Sequence, residues 1–195
     1  MLPMLNHEPE TEATRKRQMR LNVREILIMA LVFLVVFATV QFSVQSFRVD
    51  GPSMEPSFTE GEFIMVNKLT YRFSDPRRGD VIIFDPPFSS SYPFIKRVVG
   101  LPGETVEIRH GDIYIDGRLL NETPDMGKPN RDIGPTRVEK GHYFVMGDNR
   151  DNSRDSTEGW TVPRDNIIGR SWMVYWPLSH RGLSPDYSYT LGTAA

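Results

Sequence analysis

Ser53 lies in the run Gly51-Pro52-Ser53-Met54-Glu55-Pro56-Ser57, with a proline on either side. Each proline fixes its own φ and drives the preceding residue out of the α region, so the serine is carried on a stiff turn. A hydroxyl held in this way can act as a nucleophile once a base takes its proton. Pro52 has no N–H, so the backbone donor for an oxyanion at this turn is the Ser53 amide, beside Gly51.

Histidine is the first base to look for. His7, His110, His142 and His180 are scattered, and no local pattern ties any of them to Ser53. The turn lacks the second glycine of a nucleophile elbow, and no serine stands three residues before a lysine. Lys96 has a more suggestive setting, Pro93-Phe94-Ile95-Lys96-Arg97-Val98-Val99. As a strand, this run places Phe94, Lys96 and Val98 on one face and Ile95, Arg97 and Val99 on the other. A lysine among apolar neighbours loses hydration, which favours the neutral amine. To serve as a base near neutrality its pKa must fall from ~10.4 to roughly 7–8, about 4 kcal/mol of desolvation.

A third stretch, Gly147-Asp148-Asn149-Arg150-Asp151-Asn152-Ser153-Arg154-Asp155-Ser156, is dense in charge. It fails as a calcium loop because Arg150 occupies a ligand position and no glycine stands at the sixth. An ion network is expected there. No metal and no cofactor are expected in the chain.

The elements that must position these residues can be read from composition. In 195 residues there are 23 basic and 25 acidic side chains and no cysteine. Disulfides and thiolate sites are thereby excluded, and nucleic acid is not an expected partner because no basic face follows residue 24. Residues 1–24 read as a basic, partly disordered leader, with Arg15, Lys16, Arg17, Arg20 and Arg24 at its end. Residues 25–47 read as a transmembrane helix. Ile26 to Phe47 carries no charge over 22 residues, about 33 Å of helix against a hydrocarbon core of about 30 Å. The basic cluster before it and the acidic excess after it place the N-terminus in the cytoplasm and residues 48–195 outside. A cleaved export signal would have a shorter apolar part and an A-x-A-like site, which is missing.

Fifteen glycines and fifteen prolines among Val, Ile, Phe and Tyr runs predict a mostly β domain of antiparallel sheets. Strands are expected at Phe47–Val49, Phe63–Asn67, Val81–Phe84, Phe94–Val99, Thr105–Arg109, Ile113–Ile115, His142–Met146 and Ser171–Trp176. His110-Gly111 and Asp116-Gly117 read as hairpin turns, and Asn121–Arg137 as a long surface loop.

Four blocks together carry a resemblance: G-P-S-M-E-P-S at 51–57, G-D-V-I-I-F at 79–84, F-I-K-R-V-V-G-L-P-G-E at 94–104 and G-D-N-R-D-N-S-R-D-S at 147–156. In this order, after an apolar anchor, they resemble the type I signal peptidases, membrane-anchored Ser-Lys endopeptidases. The resemblance implies the fold of that family and removal of N-terminal signal peptides from secretory precursors after small residues of the A-x-A type. It makes Ser53 the acyl-forming nucleophile and Lys96 the general base. Ser153 matches a serine that orients the lysine amine, and Gly51 stands where some members place an oxyanion-hole hydroxyl. Asp148, Arg150 and Asp155 match charged residues that hold the site together. Phe47, Val49, Phe58, Ile64, Phe94 and Ile95 match the walls of two shallow substrate pockets.

The chain departs from the pattern at Thr157, where an arginine is usual, so Asp155 is expected to pair with Arg154 or Arg150. Ser57 stands where threonine is common. The expected partners are precursor proteins and the lipid bilayer, on which Pro86-Pro87-Phe88 and Trp172 to Trp176 could rest. The expected membrane is a bacterial plasma membrane, or else a thylakoid. Competing readings are a non-enzymatic anchored β module that binds exported proteins, a self-cleaving repressor-type protein and a Ser-His hydrolase.

Overall fold

A computed structural model of the chain describes residues 12–192, with side chains from Asn22 onward. Residues 1–11 of the expected disordered leader lie outside the described residues, whereas from Glu12 the chain is helical. Helix α1, Glu12–Ser43, contains one segment long and apolar enough to cross a membrane, Asn22–Ser43, whose side chains are not buried by protein. The helix stops at Ser43, four positions short of the expected 47. From Val44 the backbone instead pairs as a strand, and the polar Gln45 and Ser46 sit on it.

From Ser43 onward the chain forms a compact β unit, separate from the helical one. In chain order its elements are β1 (Val44–Arg48), β2 (Phe63–Asn67), the one-turn α2 (Thr70–Phe73), β3 (Val81–Phe84) and β4 (Phe94–Gly100). There follow β5 (Thr105–Arg109), β6 (Asp112–Ile115), β7 (Arg118–Thr123), β8 (Ile133–Arg137) and β9 (His142–Met146). The last are β10 (Val162–Pro163), β11 (Ile167–Trp176), β12 (Gly182–Leu183) and β13 (Ser188–Leu191). The larger sheet runs β1-β2-β11-β3-β4-β9-β10, with β12 added to β11, and the smaller runs β13-β7-β6-β5-β8. All described pairings are antiparallel.

Alternation decides which way each strand packs. Val81 and Ile83 of β3 enter one cluster with Val49, Met54, Phe58, Ile64, Val66 and Val174, while Ile82 and Phe84 enter a second with Val98, Tyr143 and Val145. Both faces of β3 are therefore core, which is why its sequence is an unbroken apolar run. A third cluster joins the two sheets, with Val99, Phe144 and Met146 from the larger against Val106, Ile108, Ile113 and Ile115 from the smaller.

The expected loop at Asn121–Arg137 is partly strand. Its first residues complete β7 and its last form β8, which pair with β13 and β5. Proline and glycine made this stretch read as irregular, but the backbone partners lie far off in sequence. The two hairpin turns are as expected, with left-handed φ at His110 (53°), Gly111 (78°), Asp116 (50°) and Gly117 (75°).

Candidate active site

Ser53 lies on an excursion between β1 and β2 whose two ends are tied together. Val49 N–H donates to the Glu62 carbonyl at 2.7 Å and Gly61 N–H to the Val49 carbonyl at 2.9 Å. Inside it, Phe58 N–H bonds the Met54 carbonyl at 2.9 Å, and both side chains are fully buried in the first cluster. With Met54 anchored inward, its neighbour Ser53 faces the opposite way, into a cleft. Gly51 enters the turn at φ 77°.

The loop after β9 holds the same turn from the far side. Asn149 N–H donates to the Ser53 carbonyl at 3.1 Å, and Asn149 Nδ2 donates to the Pro52 carbonyl at 3.2 Å. Gly147 permits that approach, because a Cβ there would stand under 3.0 Å from both the Ser53 carbonyl oxygen and Ser153 Oγ. Among the described residues the Ser53 amide donates no hydrogen bond, so it is available to an oxyanion.

Lys96 projects from β4, between β3 and β9, and is 4% exposed. Its Nζ lies 2.7 Å from Ser53 Oγ and 2.8 Å from the carbonyl oxygen of Ile95, with the Phe94 ring 5.5 Å away. Burial pushes its pKa down from 10.5 to about 8, against an opposing pull from the carboxylates of Asp155 and Asp148. The neutral amine thus forms near physiological pH and faces the hydroxyl proton that it would accept.

The charged loop 147–156 is arranged differently from expectation. Asp148 takes a bidentate pair from Arg97, at 2.7 Å and 2.6 Å, with neither side chain exposed. Arg150 makes a bidentate pair with Glu122 of β7, both contacts at 2.6 Å. Asp155 pairs with no cation among the described residues. It accepts instead from Gly147 N–H at 2.9 Å, Thr157 N–H at 3.1 Å and the Thr157 hydroxyl at 2.8 Å. A hydroxyl and two amides fill the lone pairs that arginine was expected to fill, while Arg154 bonds Glu158 and stacks on Phe88. Ser153 Oγ is buried without a hydrogen-bond partner, so the expected bond to the lysine amine is absent and the Ile95 carbonyl holds Nζ instead.

Beside Ser53 and Lys96 opens a cleft of about 600 Å³. Of the expected wall residues, Phe47, Phe94 and Ile95 line it, together with Ile83, Tyr92 and Arg154. Val49, Phe58 and Ile64 do not. They are at most 1% exposed in the core behind that wall. His142 faces the Lys140 carbonyl and His180 bonds Glu62, so neither serves Ser53. No cluster of three metal-ligating side chains exists among the described residues.

Arg97, Glu122 and Asn149 escaped the sequence reading. Arg97 carried one usable signal, an arginine inside an apolar strand, which cannot stay buried without an anion. Its partner is 51 positions away, and spacing does not reveal it.

A serine hydroxyl against a desolvated lysine amine, on a β scaffold with a free amide at the turn, is the equipment of a Ser-Lys hydrolase. Residues 22–176 match the family described as "Signal peptidase, peptidase S26". The chain is 40% identical over 156 residues to "Signal peptidase I" of Leptolyngbya laminosa, covering 76% of this chain and 77% of that protein. It is 33% identical over 186 residues to "Signal peptidase I T" of Bacillus subtilis (strain 168), covering 89% and 94%. This chain belongs to the signal peptidase family, peptidase S26.

Three outcomes test this geometry. Gly147→Ala forces the Ser53 turn to move, and a displacement of about 1 Å should lower kcat roughly 10²-fold, read as the rate of peptide-bond cleavage. Asp148→Ala leaves the Arg97 guanidinium buried and unpaired and should cost about 3–5 kcal/mol in urea unfolding. Because burial depresses the Lys96 pKa, this side chain holds fewer protons in the folded state than in the unfolded one between pH 8 and 10.5. The Lys96 contribution to stability should therefore rise with pH across that window, opposed near pH 10 by Tyr71, Tyr143 and Tyr189, whose burial raises their pKa. The advantage of Lys96→Met over the wild type should shrink across the same window by up to about 3 kcal/mol. A constant difference would show that the amine reaches water in the folded protein.

Proposed function

We propose that this chain is the endopeptidase that removes signal peptides from secretory precursors, with Ser53 as nucleophile and Lys96 as general base. The observation that carries the reading is the 2.7 Å approach of a buried amine to the Ser53 hydroxyl. Ser53 Oγ attacks the carbonyl carbon of the scissile bond while its proton passes to neutral Lys96. The oxyanion so formed receives the Ser53 N–H. Collapse of the tetrahedral species breaks the C–N bond. The Lys96 ammonium protonates the departing amine, which leaves an acyl-Ser53 ester. Water then gives a proton to the regenerated amine, attacks the ester and restores the hydroxyl.

Substrate selection falls to the cleft wall of Phe47, Ile83, Phe94 and Ile95, whose apolar surfaces favour apolar side chains near the cut. Asp148, Arg150 and Asp155 act as supports that hold loop 147–156 against the Ser53 turn. Only nine residues of chain lie between Ser43, the end of the anchor helix, and Ser53. A precursor whose apolar segment lies in the bilayer meets the serine close to where it emerges. The basic residues before the helix support an N-terminus in the cytoplasm and a β unit on the outer face of a bacterial plasma membrane. Trp172 and Trp176, each about half exposed, suit contact with lipid headgroups. Phe88 instead meets the Phe94 and Trp160 rings edge-on.

Purified full-length protein, incubated with a precursor bearing an A-x-A site, should cut after the second alanine. Ser53→Ala and Lys96→Ala should each slow the cut by at least about 10³-fold. Lys96→Arg should fail as well, since a guanidinium keeps its proton. The kcat/KM of the wild type should climb with pH through a midpoint near 8, set by the depressed Lys96 pKa, falling about tenfold per pH unit below it. Retained cleavage in Ser53→Ala would remove Ser53 as the nucleophile, whereas a wild type that binds the precursor without cutting it would leave the anchored, non-enzymatic module as the better reading.

A further inference from the structure

Ser57 closes the turn that carries Ser53, and Arg97 directly follows Lys96 on β4. One side chain touches both. Tyr187, between β12 and β13, shares a 2.7 Å hydrogen bond with Ser57 Oγ through its hydroxyl, and its ring lies 4.3 Å from the Arg97 guanidinium carbon. Two residues earlier, the Pro185 carbonyl accepts from Arg97 Nη1 at 3.3 Å.

The segment is held at both ends. Ser184 N–H bonds the Trp172 carbonyl at 2.9 Å and Ser184 Oγ meets Ser171 Oγ at 2.5 Å, while β13 pairs with β7. It lies beyond residues 22–176, the part matched to the family.

We propose that Tyr187 is a positioning residue of the Ser53–Lys96 pair, bracing the nucleophile turn against the base strand; the proposal rests on the endopeptidase reading. Lys96 and Arg97 share a peptide unit, so a ring seated on the guanidinium restrains the backbone from which the lysine projects. The hydroxyl at the other end of the same ring restrains the turn. A tyrosine suits the task because it has two rotatable side-chain bonds and a rigid body between its two contacts. The Arg97 guanidinium is already ordered by Asp148 and by the Gly79 carbonyl at 2.8 Å, so the ring rests on a fixed platform. Reactivity depends on the separation of two atoms on different elements, and this side chain links those elements directly.

The test uses full-length protein in detergent with the A-x-A precursor, comparing the wild type with Tyr187→Phe, Ser57→Ala, the double variant and Tyr187→Leu. Tyr187→Phe and Ser57→Ala each remove the same hydrogen bond and should lower kcat about fivefold at unchanged KM. The double variant should be no worse than either single one. Tyr187→Leu also uncovers Arg97 and frees the β4 backbone that it shares with Lys96. Its kcat should fall about 10²-fold, and the pH midpoint of kcat/KM should move upward as the loosened strand admits water to Lys96 on its other face.

Wild-type kcat and pH midpoint in the folded variants, losses confined to melting temperature, or additive effects in the double variant would each overturn the proposal. Should Tyr187→Leu fail to fold, the Phe and Ala variants decide alone. A wild type that does not cut, or a Ser53→Ala variant that does, would instead overturn the endopeptidase reading.

Discussion

An amine surrenders its proton near neutral pH only where water is kept from it, and the exclusion of water from Lys96 is the condition on which the rest of this site depends. Lys96 rises from the interior of the larger sheet, between two strands whose side chains are almost entirely buried. Its Nζ has two oxygen neighbours, Ser53 Oγ and the Ile95 carbonyl, and the face of Phe94. None of these is an anion. The ammonium form is therefore poorly compensated, and this is what brings the pKa to about 8.

The nearby carboxylates work against that condition, and the fold limits their effect. Asp148 and Asp155 both favour a charged lysine. Asp148 is occupied by Arg97 in a fully buried bidentate pair, and Asp155 spends its lone pairs on two backbone amides and a hydroxyl. A carboxylate matched by a guanidinium exerts less net field on a third group. The larger opposing pull on Lys96 comes from Asp155, which has no cation among the described residues and is outweighed by burial. The acidic residues of loop 147–156 accordingly act as fasteners. They hold that loop's shape while leaving Lys96 free to lose its proton.

The loop is held against three separate parts of the molecule. Arg97 ties Asp148 to β4, Glu122 ties Arg150 to the smaller sheet, and Asn149 bonds the carbonyls of the Ser53 turn. Because the third cluster packs the two sheets together, the smaller sheet braces the site without supplying a reacting atom. Gly147 sets how closely the loop and turn can meet.

Several features were legible in sequence because they depend on near neighbours. The prolines around Ser53, the apolar setting of Lys96, the uncharged helix, the hairpin turns and the exact bounds of Phe63–Asn67 and Val81–Phe84 each follow from local rules of backbone and hydration. The pairing of Ser53 with Lys96 came instead from the resemblance that four blocks in order carry. The strands at Arg118–Thr123 and Ile133–Arg137 were missed because proline and glycine are local signals, whereas ladder hydrogen bonds are made with distant partners. The same reason explains the charge pairs. That Asp148 would choose Arg97, that Thr157 would satisfy Asp155, and that Val49, Phe58 and Ile64 would turn away from the cleft depends on which surfaces meet when the sheets close. Composition and periodicity determine what each residue needs, namely a partner, a dry surface or a turn. Only the folded chain decides who supplies it, because contacts across tens of residues leave no period in the sequence.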